Sequence, residues 1–149
     1  MIIIKYSFLI NLSSFIDTLK DKRWLDKNKY IYDLNFWNFF KNESERVNKI
    51  KKVLGSIETK DSTFIVYLHK FNTYGSYKLP SNVYLNIYQP LSEIKETFFH
   101  EQKHLEVENF VRKNKLSHEQ KEDLVNKMIE KDNKSTKVKA TKHDKKMGS

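Results

Sequence analysis

His100, Glu101 and His104 are the residues whose types and spacing could do chemistry together in this 149-residue chain. They stand in the pentad His100-Glu101-Gln102-Lys103-His104, with the two histidines four positions apart. On a helix, positions i and i+4 share a face one turn apart, so both imidazoles can ligate one zinc ion while the Glu between them reaches a water at the metal. The chemistry open to such a site is hydrolysis: the carboxylate takes a proton from the water, and the metal polarises the carbonyl under attack. Three demands fall on the rest of the chain: a helix under the pentad, a third ligand, and a wall for a substrate.

The helix is the best supported of the three. Gln89-Pro90 closes the preceding strand, Ser92 can cap the next helix, and the stretch from Ser92 to Lys113 contains neither Pro nor Gly. At about 100° per residue, Ile94, Phe98, Glu101, Leu105 and Glu108 fall in one sector, with His100, His104, Val107 and Val111 in the adjacent one. Lys95, Gln102, Asn109 and Lys113 take the far side. The pentad's chemistry therefore belongs to the inward arc, where imidazoles can be held in a partly dry setting.

For the third ligand the chain offers carboxylates and histidines only, because it has no Cys. Asn114 to Ser117 reads as a turn, Ser117 and Gln120 have capping-box spacing, and a second helix is predicted to about Glu130 with Val125, Met128 and Ile129 on its apolar arc. Glu122 sits at the edge of that arc and is the expected ligand. His118, one turn earlier, is the alternative, while Asp123 and Glu130 point to solvent. Asn126, four residues beyond Glu122, could hydrogen-bond a ligating histidine.

The wall is expected from Asn82-Val-Tyr-Leu-Asn-Ile-Tyr88, which alternates Val83, Leu85 and Ile87 against Tyr84, Asn86 and Tyr88, as a strand with one buried face does. An extended peptide would add to it as a further strand, over Tyr84, Asn86 and Tyr88. Tyr74, Tyr77, Tyr84 and Tyr88 are the candidate donors to a developing oxyanion. Thr63 to His69 reads as a strand buried on both faces, and lone His69 as packed or solvent-facing. Upstream, Met1 to Ile10 is an opening strand, since Lys5 interrupts its apolar run and no small-residue cleavage site comes after it. Ser13 or Ser14 can cap a helix carrying Phe15, Ile16, Leu19 and Trp24, and Lys20 to Lys29 is a charged connection. In the aromatic run from Tyr30, Phe36, Trp37, Phe39 and Phe40 are expected as core fillers. Glu43 to Leu54 is a helix stopped at Gly55.

Composition limits the reading. Apolar residues are 38% and aromatics 13% of the chain, which is globular in character, and its length suits one domain, residues 1–133, followed by a disordered basic tail, residues 134–149. The net charge of +9 is uneven: between Lys134 and Lys146 there are six Lys against one Asp. Neither an Arg-rich nor a Gly-aromatic motif accompanies these lysines, so nucleic acid is not an expected partner, and His143 among them is incidental. The lack of Cys fits a reducing compartment, and no stretch reads as a transmembrane helix, so a cytoplasmic location with no membrane role is expected.

The strand ending near Asn86, the helix segment Phe98-Phe-His-Glu-Gln-Lys-His-Leu105 and the later Glu122-Asp-Leu-Val-Asn126 together resemble a gluzincin-type metallopeptidase, closest to the ImmA/IrrE-like group. Tyr74-Gly75 matches that group's Gly-bearing loop, and the resemblance covers roughly residues 60–130. Gln102-Lys103 departs from the Leu-Gly often found inside the group's pentad, and Val107 and Phe110 stand where the longer metzincin motif needs Gly and His. The resemblance implies an α+β, zincin-like fold, a few-stranded mixed sheet packed on the HExxH helix and a following ligand-bearing helix. It also implies Zn²⁺ held by His100, His104 and Glu122, Glu101 as the base, and a protein or peptide substrate. The alternative is a non-catalytic zincin-like or basic interaction module that binds nucleic acid or an acidic protein.

Overall fold

The computed structural model describes residues 1–21 and 35–147, from 136 onward by backbone alone. The chain divides into two compact units, Met1–Leu105 and Glu106–Ser149. Trp24, most of the Lys20 to Lys29 connection and the start of the Tyr30 aromatic run lie outside the described residues.

The first unit is α+β. Its elements are β1 (Ile2–Lys5), α1 (Phe8–Lys20), a 3-10 turn (Phe36–Phe40), α2 (Ser44–Gly55), β2 (Phe64–His69), β3 (Gly75–Lys78) and β4 (Asn82–Asn86). A second 3-10 turn, Leu91–Glu93, then leads into α3 (Ile94–Lys113), so Ser92 lies inside that turn rather than capping the helix. The sheet order is β1-β2-β4-β3, with β1, β2 and β4 mutually parallel and β3 antiparallel to β4. β3 is legible in the sequence only as a turn signal: Gly75 and Ser76 have little intrinsic preference for a strand, and pairing with β4 makes them one.

Alternation decides what each strand face meets. Phe64, Val66 and Leu68 of β2 and Val83 and Leu85 of β4 share a face, and there they pack with Val47, Ile50 and Leu54 of α2 and with Ile94 and Phe98 of α3. The Phe98 ring stands edge-on to Phe64, 5.6 Å between centroids. Each such buried side chain contributes about 1.5–3 kcal/mol, and together they hold the start of α3 on the sheet.

α1 serves the opposite face and corrects the expectation placed on Ser13 and Ser14. The helix begins at Phe8 and is capped by Ser7, whose Oγ accepts from the Ile10 amide at 3.2 Å. Ser14 is buried in mid-helix and donates to the Phe71 carbonyl at 2.9 Å, while Asn11 Oδ1 accepts from the Lys70 amide at 2.9 Å. The reason is the backbone just past β2, which leaves the ladder with polar groups that need partners once buried. Polar Asn11, Ser14 and Thr18 therefore face inward, and Leu9, Leu12, Ile16 and Leu19 face out. Three of the four aromatics expected in the core behave similarly: Phe36, Trp37 and Phe40 are more than half exposed. Of the four, Phe39 packs deepest, against Phe71 at 4.6 Å and Phe15 at 5.1 Å, and buried Asn38 holds the turn through its carbonyl, which accepts from Lys70 Nζ at 2.6 Å.

The second unit is built from the end of α3 and from α4 (His118–Met147). Lys115 turns the chain between them with a φ of 51°. The predicted capping box forms: Gln120 Oε1 accepts from the Ser117 amide at 2.9 Å, and Ser117 Oγ accepts from the Gln120 amide at 3.2 Å. Val107, Val111 and Val125 form its core with Leu116, Leu124, Met128 and Ile129 around them. The helix predicted to end near Glu130 continues to Met147. Among the described residues no helix is long and apolar enough to cross a membrane.

Candidate metal centre

The pentad lies on α3, as its sequence predicts, with Glu101 7% and His104 2% exposed and His100 half-buried. The Nε2 atoms of His100 and His104 approach to 3.0 Å, with the rings edge to face. Two ring nitrogens at that distance need either a proton on one of them or a cation shared by both, and ligands about 2.0–2.1 Å from one zinc ion can be this close. Among the described residues, His100, His104 and Glu122 make up a group that could hold a metal ion. Two neutral imidazoles and one carboxylate are a donor set that suits zinc.

Glu122 itself is half-buried on α4, and Nδ1 of the exposed His118 is 3.9 Å from its Oε1, an i,i+4 pair. His118 is thus a neighbour of Glu122 and is not in the metal group. Asn126, expected beside a ligating histidine, is exposed.

β3 brings to the site two residues that sequence reasoning does not single out for these roles. A methyl group on Gly75 would come within 2.5 Å of Thr97 Cγ2 and 2.7 Å of Glu101 Oε1, so the glycine is what lets the strand pass over the carboxylate. Two residues on, the Tyr77 ring stacks on the imidazole of His104, 5.0 Å between centroids and 6° from parallel. The signal is present in the period: Gly75 and Tyr77 share a strand face only if 75–78 is a strand.

A buried hydrogen-bond network fixes β3 there. Fully buried Gln89 donates from Nε2 to the carbonyls of Tyr74 and Asn86, both at 2.9 Å, and its Oε1 accepts from Thr97 on α3 at 2.7 Å. Asn86 adds its amide to the Tyr74 carbonyl and its side-chain Nδ2 to the Asn72 carbonyl.

The expected substrate wall needs correction. β4 is paired on one side with β2 and on the other with β3, so it has no edge to which a peptide could add along Asn82–Asn86. Tyr84 stacks on Tyr67, 4.9 Å between centroids, on the face away from α3; Asn86 is buried in the Gln89 network; and Tyr88 donates to Glu43 at 3.1 Å. The strand at the end of the sheet beside the pentad is β3. Of the four tyrosines considered as oxyanion donors, Tyr77 is the one stacked on a pentad histidine.

A groove of about 490 Å³ opens on the α1 face, with Asp17, Tyr67, His69, Lys78 and Tyr84 among its lining residues. It is not where the pentad lies. Burial, followed by the charges of Tyr67 and Asp17, raises the pKa of Tyr84. His69 is 2% exposed, and burial lowers its pKa from 6.5 to about 4, against a weaker pull upward from the Phe71 backbone. Of its two expected settings, it takes the packed one. A histidine kept neutral in the fold but protonated when unfolded makes the unfolded state the better proton binder between those two values, so stability falls as pH drops through that window. Unfolding by urea is expected to show a loss of about 2 kcal/mol between about pH 7.5 and about pH 5, and His69→Asn should flatten that slope. An unchanged slope in the variant would assign it to other groups.

Comparison with known protein families, curated proteins and solved structures found no match to this chain.

Proposed function

We propose that this chain is a zinc-dependent peptidase in which His100, His104 and Glu122 hold the ion and Glu101 is the general base. The observation that carries the reading is the close approach of the two imidazole Nε2 atoms, 3.0 Å apart on one helix, with the buried carboxylate of Glu101 between them in sequence. Titratable groups gathered in this way are what a hydrolytic centre needs and what a solvated helix face lacks.

A bound zinc ion supplies Lewis acidity, making a water more acidic and a carbonyl more electrophilic. The protein does the rest. Glu101 takes a proton from the attacking water and afterwards delivers it to the amine that leaves, so the peptide bond is exchanged for a carboxylate and an amine. Its burial keeps competing water away from that transfer. An extended peptide pairs with β3, the end strand, whose Gly75 and Tyr77 already lie against the helix of the pentad.

Metal analysis of the full chain purified under zinc-replete conditions tests this. About one zinc ion per chain is expected, with nearly none in His104→Ala and a weakened site in Glu122→Ala. Wild-type protein that comes out free of metal would end the proposal, and a normal metal content in Glu122→Ala with loss in His118→Ala would move the third ligand to His118.

A further inference from the structure

The geometry points to Tyr77 as the positioning residue for His104: its ring acts as a flat stop that sets the plane of the imidazole and hence the direction of its ligating nitrogen. The inference rests on the proposed metal site and adds a residue to it. A histidine ligates through a lone pair in the ring plane, yet rotation about its Cβ–Cγ bond has broad minima, so something outside the residue must hold the plane. Metal-binding histidines are commonly held by a hydrogen bond to the other ring nitrogen. On His104 a ring face lies against the imidazole, 6° from parallel and 5.0 Å away.

The register makes that contact a built one. Glu101 and His104 are i and i+3 on α3, neighbours on one helix face, while Gly75 and Tyr77 are i and i+2 on β3, neighbours on one strand face. The strand thus meets the helix twice: at Gly75, where the missing side chain admits Glu101, and at Tyr77, where a large flat one covers His104. Pairing of Tyr77 with Val83 and of Gly75 with Leu85 fixes the spacing, and Gln89 ties the start of β3 to Thr97 on the same helix. A ring anchored to the sheet can set the plane of an imidazole carried by the helix.

The test is direct titration of the full-length apoprotein with Zn²⁺, and with Co²⁺ read by its visible absorption, in the wild type and in Tyr77→Phe, Tyr77→Leu and Tyr77→Ala. Phe keeps the ring without the hydroxyl, and Leu keeps apolar bulk without a flat face. The expected result is wild-type affinity and Co²⁺ spectrum for Phe, and affinity weaker by on the order of tenfold with an altered spectrum for Leu and Ala. Should Ala fail to fold, the comparison of Phe with Leu carries the same decision. Equal affinity and spectrum in Leu and wild type would overturn the inference while leaving the metal site standing, as would a Phe variant as weak as Ala. A wild type that takes up neither ion would instead overturn the metal site and this inference with it.

Discussion

Glu101→Gln is expected to keep its metal and to lose hydrolysis of a casein-type substrate by about 10²–10⁴-fold. The amide matches the carboxylate in size, so the 7%-exposed site beside Gly75 can accept it, and Glu101 is not among the three proposed ligands. What the amide cannot do is accept a proton from water near neutral pH. The outcome separates two roles for one position: loss of both metal and activity would make Glu101 structural to the site, and undiminished activity would remove it as the base.

Gly75→Ala should produce a similar loss of hydrolysis from outside the pentad, on the order of 10²-fold, again with metal retained. The added methyl group meets Thr97 Cγ2 at 2.5 Å and Glu101 Oε1 at 2.7 Å, and at those distances something must move. Thr97 is held by its hydrogen bond to fully buried Gln89, so β3 must draw back from it, and the longer and more flexible Glu101 side chain is expected to shift as well. Displacing a base by even about 1 Å is costly because proton transfer needs hydrogen-bond distance to the water. Kinetics of Gly75→Ala, Glu101→Gln and the double variant would check this. If the alanine acts through Glu101, the double variant should be no worse than Glu101→Gln alone; independent, additive losses would place the effect elsewhere, and full activity in Gly75→Ala would show that the carboxylate has room to spare.

The two variants also show which parts of the site local pattern can reveal. The pentad, its helix and the inward turn of Glu101 and His104 follow from i,i+3 and i,i+4 spacing along an uninterrupted run. That is information carried by consecutive residues, and it needs no knowledge of what the helix packs on. The capping box at Ser117 and Gln120 is legible for the same reason, and so is the alternation of β4, whereas β2, read as buried on both faces, alternates between buried and half-buried residues from Phe64 to Tyr67.

Sequence and structure part wherever a local pattern is overruled by a distant partner. Asn11 and Ser14 on α1 look like polar surface or caps, but the open backbone at Lys70 and Phe71 draws them inward and turns Leu9, Leu12, Ile16 and Leu19 out. Phe36, Trp37 and Phe40 look like core, yet only Phe39 of that turn finds a deep contact with Phe71. Alternation in β4 identifies its buried face, but alternation cannot say whether a strand has an edge, and neighbours on both sides remove the wall expected there.

From sequence alone came the His-Glu-x-x-His pentad, the helix under it, the α+β character and Glu122 as the candidate carboxylate, because each depends on residue chemistry or on spacing within one element. Packing settled the strand order, the conversion of a Gly-bearing turn into β3, and the approach of Gly75 and Tyr77 to Glu101 and His104. Those depend on which elements pair and pack, from a few positions apart between β3 and β4 to more than twenty between β3 and α3, and hydrogen-bond pairing and side-chain fit determine this where periodicity does not encode it.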